Sequence, residues 1–248
     1  MKNASKIKWF LCLFFLFYSS VYGQIYSDSS SVLFGIKGKQ GIIIDHGFFV
    51  LNYCPEWKTS YWSAEHLRLS NFTKHVGRSN VFYPDADLPG NLRSTNSDYS
   101  GTGMDRGHIT CAGDWAFSRA SSNATFVLSN MAPQEPNSNR KCWRILEESI
   151  RDSVMKIKGE AWVVTGLLVS PNHRSIGKHK IAVPDYYYKA VLLLHKNGEY
   201  SALAALGENV AKGATVTYVA TDSVESLSGF DFWPLLPDSV EDAVETTR

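Results

Sequence analysis

Asn139-Arg140-Lys141-Cys142-Trp143-Arg144-Ile145-Leu146-Glu147-Glu148-Ser149-Ile150-Arg151-Asp152-Ser153-Val154-Met155-Lys156-Ile157-Lys158-Gly159, and soon after it Trp162-Val163-Val164-Thr165-Gly166-Leu167-Leu168-Val169, decide the fold class. Cys142, Leu146, Ile150 and Val154 recur every four residues, which gives a helix from Asn139 to about Lys158 one buried stripe. Gly159 stands where the left-handed residue beyond a helix end belongs. The run after it is β-branched and apolar, as is Tyr186 to Leu194, so both read as central strands joined by the loop Ser170 to Lys180. Upstream, Gly41–Asp45 and Gly47–Tyr53 read as a hairpin turning at Asp45-His46-Gly47. Downstream, Asp222 reads as the N-cap of a short helix, with Glu225 as its capping-box partner. Strands and helices in irregular succession predict an α+β domain, not a doubly wound one.

The ends read differently. Lys2, Lys6 and Lys8 precede the apolar run Trp9 to Tyr18, and small residues close the segment at Gly23. This is the layout of a secretory signal peptide over residues 1–23, so the protein is expected to be exported, to a periplasm or beyond the cell. The apolar run is about half of what spans a bilayer, so no membrane association is expected once the signal is removed. Residues 24–34 read as a loose Ser-rich arm, 35–240 as a single domain and 241–248 as a C-terminal tail. The 248 residues carry 25 Lys+Arg, 24 Asp+Glu and 44% hydrophobic residues, which excludes disorder and fibrous repeats. Without the signal, 22 basic residues face 24 acidic ones, so a nucleic-acid site has to be a local groove. Cys54, Cys111 and Cys142 remain after signal removal, too few for a disulfide scaffold and without zinc-site spacing. Cys111 and Cys142 are equally readable as a disulfide or as two thiols.

Chemistry concentrates in Ser97-Asp98-Tyr99-Ser100-Gly101-Thr102-Gly103-Met104-Asp105-Arg106-Gly107-His108, at the end of the irregular stretch Pro84 to Gly103. His108 can take a proton near neutral pH, Arg106 can grip phosphate oxygens, and Gly107 lets the backbone bend between them. Taken alone, the tetrapeptide is better explained by a surface pair and a satisfied strand-end histidine, and it does not by itself make an enzyme. The second constellation lies on the helix, where Asn139, Trp143, Glu147 and Arg151 form a row slanting by about 40° per step. An amide oxygen, a carboxylate and a guanidinium in that order suit one hard cation and a phosphodiester. An N-cap Asn139 and a surface pair Glu147–Arg151 explain the same spacing, which leaves the two accounts level.

Taken in order, Asp105-Arg106-Gly107-His108, Phe126-Val127-Leu128-Ser129-Asn130-Met131-Ala132-Pro133-Gln134, then Asn139, Trp143, Leu146-Glu147 and Arg151 resemble the DNA/RNA non-specific endonucleases. That family includes mitochondrial endonuclease G and secreted bacterial nucleases. Weaker matches at Arg78-Ser79-Asn80-Val81-Phe82, Val164-Thr165-Gly166, Tyr188-Lys189 and Ser228-Gly229-Phe230-Asp231-Phe232 extend the resemblance over most of the mature chain. It implies a central, mainly antiparallel sheet flanked by helices, with a ββα-metal finger as the active site. It implies hydrolysis of DNA and RNA with His108 as general base, giving 5′-phosphate ends. Asn139 would be the direct ligand of Mg²⁺, or of Mn²⁺, with Glu147 acting through water. Arg78, Arg106 and Arg151 would hold phosphates, and Asn130 would lie near the substrate. Some members dimerise, so a homodimer is an implied state. The chain departs from many members in lacking a proline just after His108. The competing reading is a catalytically silent module that keeps the fold and only binds nucleic acid or protein; retention of the His, Asn, Glu and Arg set speaks against it.

Overall fold

The computed structural model describes residues 25–26 and 29–246; the proposed signal segment 1–23 lies outside the described residues. The main sheet has seven strands in the order Val216–Val219, Tyr200–Glu208, Tyr186–Leu194, Glu160–Leu168, Thr59–Arg68, Phe49–Cys54 and Ile42–Asp45. Every neighbouring pair is antiparallel. Among the described residues four α-helices are present: α1 (Arg119–Ala124), α2 (Arg144–Ile157), α3 (Thr221–Ser228) and α4 (Asp238–Glu245). The expected α+β architecture is therefore what the chain adopts. No helix among the described residues is long and apolar enough to cross a membrane.

Alternation along the two central strands builds a core on each face. Trp162 and Val164 join Tyr188, Ala190 and Leu192 beneath Val224 of α3 and Val244 of α4. Ala161, Val163 and Leu167 join Tyr187, Val191 and Leu193 beneath Leu146, Ile150 and Val154 of α2. With both faces covered, the strands have no polar side to present, which is why they read as continuous apolar runs. Each of the three α2 aliphatics contributes about 1.5–3 kcal/mol by burial, enough to hold the helix against the sheet.

Several local expectations are corrected. The helix opens with a π-helical turn, Ser138–Trp143, before becoming an ordinary α-helix. Trp143, 1% exposed, takes the core position expected for Cys142, which is only half-buried: three residues before Leu146 it falls within the arc of Leu146, Ile150 and Val154. At the other end Lys158 takes the left-handed conformation, at φ 51°. Gly159 is required for another reason: a Cβ there would strike the carbonyl oxygen of Leu194 on the adjoining strand. α3 begins at Thr221 without a side-chain cap, and Glu225 instead accepts the backbone N–H of Phe232 at 2.6 Å. The supposed loose arm is partly docked, since Val32 belongs to the core and Ser30 O accepts from Trp162 Nε1 at 3.0 Å. The supposed tail from 241 continues α4 and buries Val244. The hairpin forms as expected, with Ile42–Asp45 against Phe49–Cys54 and His46 N–H donating to Phe49 O at 3.0 Å.

A second, two-stranded sheet pairs Asp105–His108 with Met131–Gln134, His108 lying opposite Met131. The π-helical turn and α2 follow directly, so the chemistry-bearing segments form a ββα unit on the sheet.

Candidate active site

Gly107 fits this finger for a packing reason, not the flexible one expected. A Cβ there would collide with the Gln134 side chain and come within 2.7 Å of the Tyr187 hydroxyl. Close approach to the main sheet is thus what sets the depth of the next residue. His108 is 8% exposed, with Phe126 edge-on at 4.8 Å and Phe82 at 5.9 Å between ring centroids. Its Nε2 is buried and has no hydrogen-bond partner in the protein. Burial, and then the nearby Arg78 charge, push the imidazole pKa down to about 3. The ring is therefore neutral at physiological pH, the form a base requires.

His108, Arg106, Arg78, Asn139 and Glu147 line one open groove of about 550 Å³. Arg106 lies over the rings of Phe82 (4.9 Å) and Tyr99 (5.4 Å), and its Nη2 donates to Asn96 O at 3.3 Å. Arg78 lies over Phe126 at 5.3 Å. These cation–π contacts orient the guanidiniums without neutralising them. Asn139 donates its Nδ2 to Asp105 Oδ2 at 2.9 Å, which leaves the carboxamide oxygen as the atom available to a cation. Asp105 is held in turn by Arg140 Nε at 2.8 Å. Burial acts to raise the Asp105 carboxyl, but the bonds from Arg140 and Asn139 outweigh it and keep the group below the ordinary carboxylate value.

The π-helical turn brings Asn139 and Glu147 into line. In an uninterrupted α-helix their eight-residue spacing separates them by about 80°; one extra residue in a turn reduces that to about 20°. Glu147 sits in a desolvated, charged setting. Burial raises its carboxyl above the usual value, the Lys189 ammonium opposes that, and Asp114 adds to it.

Two expected contacts are not in the groove. Arg151 points beneath it, with Nη1 2.7 Å from Asp114 Oδ1 and 3.3 Å from Cys111 Sγ. Burial works against its charge, but Asp114 and its neighbours keep the guanidinium pKa above the ordinary value. Asn130 is fully buried, accepting from Thr110 N at 2.8 Å and donating to Thr110 O at 3.0 Å and Thr125 O at 2.9 Å. It pins the chain just after His108. Trp143 is likewise core, not cleft. Cys111 and Cys142 are both free thiols.

Arg140 and Arg144 also line the groove and were missed by motif reading. Their i,i+4 spacing, one step out of phase with Asn139, was the available signal. A slightly larger groove, about 600 Å³, opens beside Trp57, Tyr61, Tyr186 and Phe230 but holds no histidine. Two further groups have metal-like spacing: His46, Asp85 and Asp87, and Asp222, Glu225 and Glu245. In the first, His46 already meets Asp85 at 3.4 Å and Asp87 at 3.8 Å, as an ordinary histidine–carboxylate pairing.

The family model for DNA/RNA non-specific endonucleases matches residues 27–239. Nuclease C1 of Cunninghamella echinulata var. echinulata is 33% identical over 227 residues, covering 84% of this chain and 90% of that protein. The mitochondrial nuclease EXOG of Xenopus laevis is 33% identical over 208 residues, 75% of this chain, and the chain spans 56% of its length. Bovine (Bos taurus) mitochondrial endonuclease G is 31% identical over 201 residues, 75% of this chain and 67% of that one. A chain from the crystal structure of the EndoG/EndoGI complex superposes with a TM-score of 0.75 at 26% identity, covering 87% of this chain and 96% of its own. With the family model matching most of the sequence and a ββα unit carrying its motif residues, the chain belongs to the DNA/RNA non-specific endonuclease family.

Proposed function

We propose that this protein is an exported, Mg²⁺-dependent endonuclease that hydrolyses phosphodiester bonds in DNA and RNA and leaves 5′-phosphate ends. The observation that carries this reading is a neutral His108 lining the same groove as the tethered Asn139. His108 takes the proton from a water aimed at phosphorus, and the surrounding Phe82 and Phe126 keep competing solvent off the ring. Arg106 and Arg78 hold non-bridging oxygens and stabilise charge as the bond breaks. The donor set fits a hard divalent cation: the Asn139 carboxamide oxygen would hold it directly, and Glu147 would reach it through water. Bound there, Mg²⁺ or Mn²⁺ would neutralise charge on the phosphate and the departing oxygen, undiminished by a neutral amide ligand.

The groove's charged contacts suit phosphate, which carries no sequence information, so little base selectivity is expected. Export rests on the basic, apolar and small-residue layout of residues 1–23. Digestion of plasmid DNA and of RNA with and without EDTA tests the reading. Cleavage abolished by EDTA and restored by Mg²⁺ supports it; binding without cleavage under any divalent ion replaces it with a silent binding module.

A further inference from the structure

Between Gly213 and Thr247 the chain carries seven Asp and Glu residues and no Lys or Arg. The fold concentrates this charge, because α3 and α4 pack on the sheet face opposite α2 through Val224 and Val244. Ligand atoms of Asp222 and Glu225 on α3 and of Glu245 on α4 lie within 4.8 Å of one another. Glu245 is only 9% exposed, and its Oε1 is buried with no hydrogen-bond partner. The charges acting on it are those of Glu225, Glu241, Asp222 and Asp231, all of its own sign. Lys37 is engaged elsewhere in the patch, 3.5 Å from Asp231. Three converging carboxylates, one desolvated and orphaned, call for either protons or a bound cation to offset them.

We propose that Asp222, Glu225 and Glu245 form a second cation site, for Ca²⁺, which fastens the last helix to the domain. Oxygen-only donors select a hard cation. Three protein carboxylates on one ion suit Ca²⁺, which takes many protein oxygens in a flexible shell, better than Mg²⁺, which keeps its waters and is usually held by one or two carboxylates. One Glu225 oxygen accepts from Phe232 N, which fixes that carboxylate before a cation arrives. Asp222 is exposed, so water reaches the site and completes the shell.

The site is separable from the groove. Calcium titrated calorimetrically into the metal-stripped full chain carrying Asn139→Ala should still show one bound ion, and the ion should raise the melting temperature. Glu245→Gln and the exposed Asp222→Asn, each in that background, should weaken binding at least tenfold and remove the thermal shift. Magnesium should bind this site more weakly than calcium. With Asn139 intact, both substitutions should leave plasmid cleavage in Mg²⁺ unchanged. Equal calcium affinity in the substituted and unsubstituted proteins, or no calcium binding once Asn139 is removed, overturns the assignment.

Discussion

Asp105 Oδ2 accepts a hydrogen bond from Asn139 Nδ2 at 2.9 Å, and that bond determines which end of the carboxamide is left for the groove. The carboxylate acts on a cation only through the amide it orients. Asp105→Ala frees the amide to rotate and should weaken Mg²⁺ dependence by about tenfold or more, the usual effect of losing an outer partner of a ligand. Arg140→Ala removes the other partner of Asp105 and keeps the Asn139 bond, so its Mg²⁺ titration should stay close to that of the parent. Matching titrations for both variants would exclude the orienting role.

Replacing His108 by Ala removes the only imidazole lining the groove among the described residues. The rate should fall by about 100- to 10,000-fold, the range for loss of a general base. Polynucleotide binding should persist, because Arg78 and Arg106 remain. Single-turnover cleavage beside a binding isotherm separates the two quantities.

Arg78 and Arg151 should fail in different ways. Arg78→Ala ought to weaken polynucleotide binding and flatten its salt dependence by about one counterion, with little change in melting temperature. Arg151→Ala leaves Asp114, 4% exposed at its side chain, without its partner. Breaking such a pair costs about 3 kcal/mol of folding stability, which denaturant titration measures directly. A stable Arg151→Ala protein with impaired binding would return this residue to the groove.

Asp98 ties the loop that tethers Arg106 to the segment around His179. It accepts from His179 Nδ1 at 2.8 Å, His179 N at 3.0 Å and Thr95 N at 2.7 Å. Burial acts to raise its carboxyl, but these bonds prevail and bring the pKa down to about 2. A depressed carboxyl stabilises the fold above its unfolded value, near 3.8, and loses that contribution as pH falls through 2. Asp98→Asn should therefore cost about 2 kcal/mol at pH 7, with the gap closing towards pH 2. An undiminished gap in denaturant midpoints at pH 2.5 would contradict the linkage.

The architecture was legible where packing alone sets it. Trp162–Val169 and Tyr186–Leu194 bury both faces, and the Leu146, Ile150 and Val154 stripe docks α2 as its spacing foretold. His108, Arg106, Arg78, Asn139 and Glu147 share a groove, as the ordered motif implied. What failed depended on direction within an element. Arg151 was read as a groove residue because a helix row looks continuous in sequence, yet Asp114 and Cys111 below the helix claim it. Asn130 carries groups suited to a ligand, but three backbone partners consume them. Gly159 marked a helix end by its identity, while the left-handed turn fell to Lys158, because strand proximity, not backbone freedom, demanded the glycine.

The π-helical opening of Ser138–Trp143 has a consequence for engineering and for ancestry. Excising one residue there would yield a regular helix, while swinging the carboxamide of Asn139 out of register with Glu147 and away from Asp105. Such a shortened chain should fold and cut nothing. A one-residue length difference at this point between two otherwise similar chains is thus a sharper mark of lost activity than most substitutions.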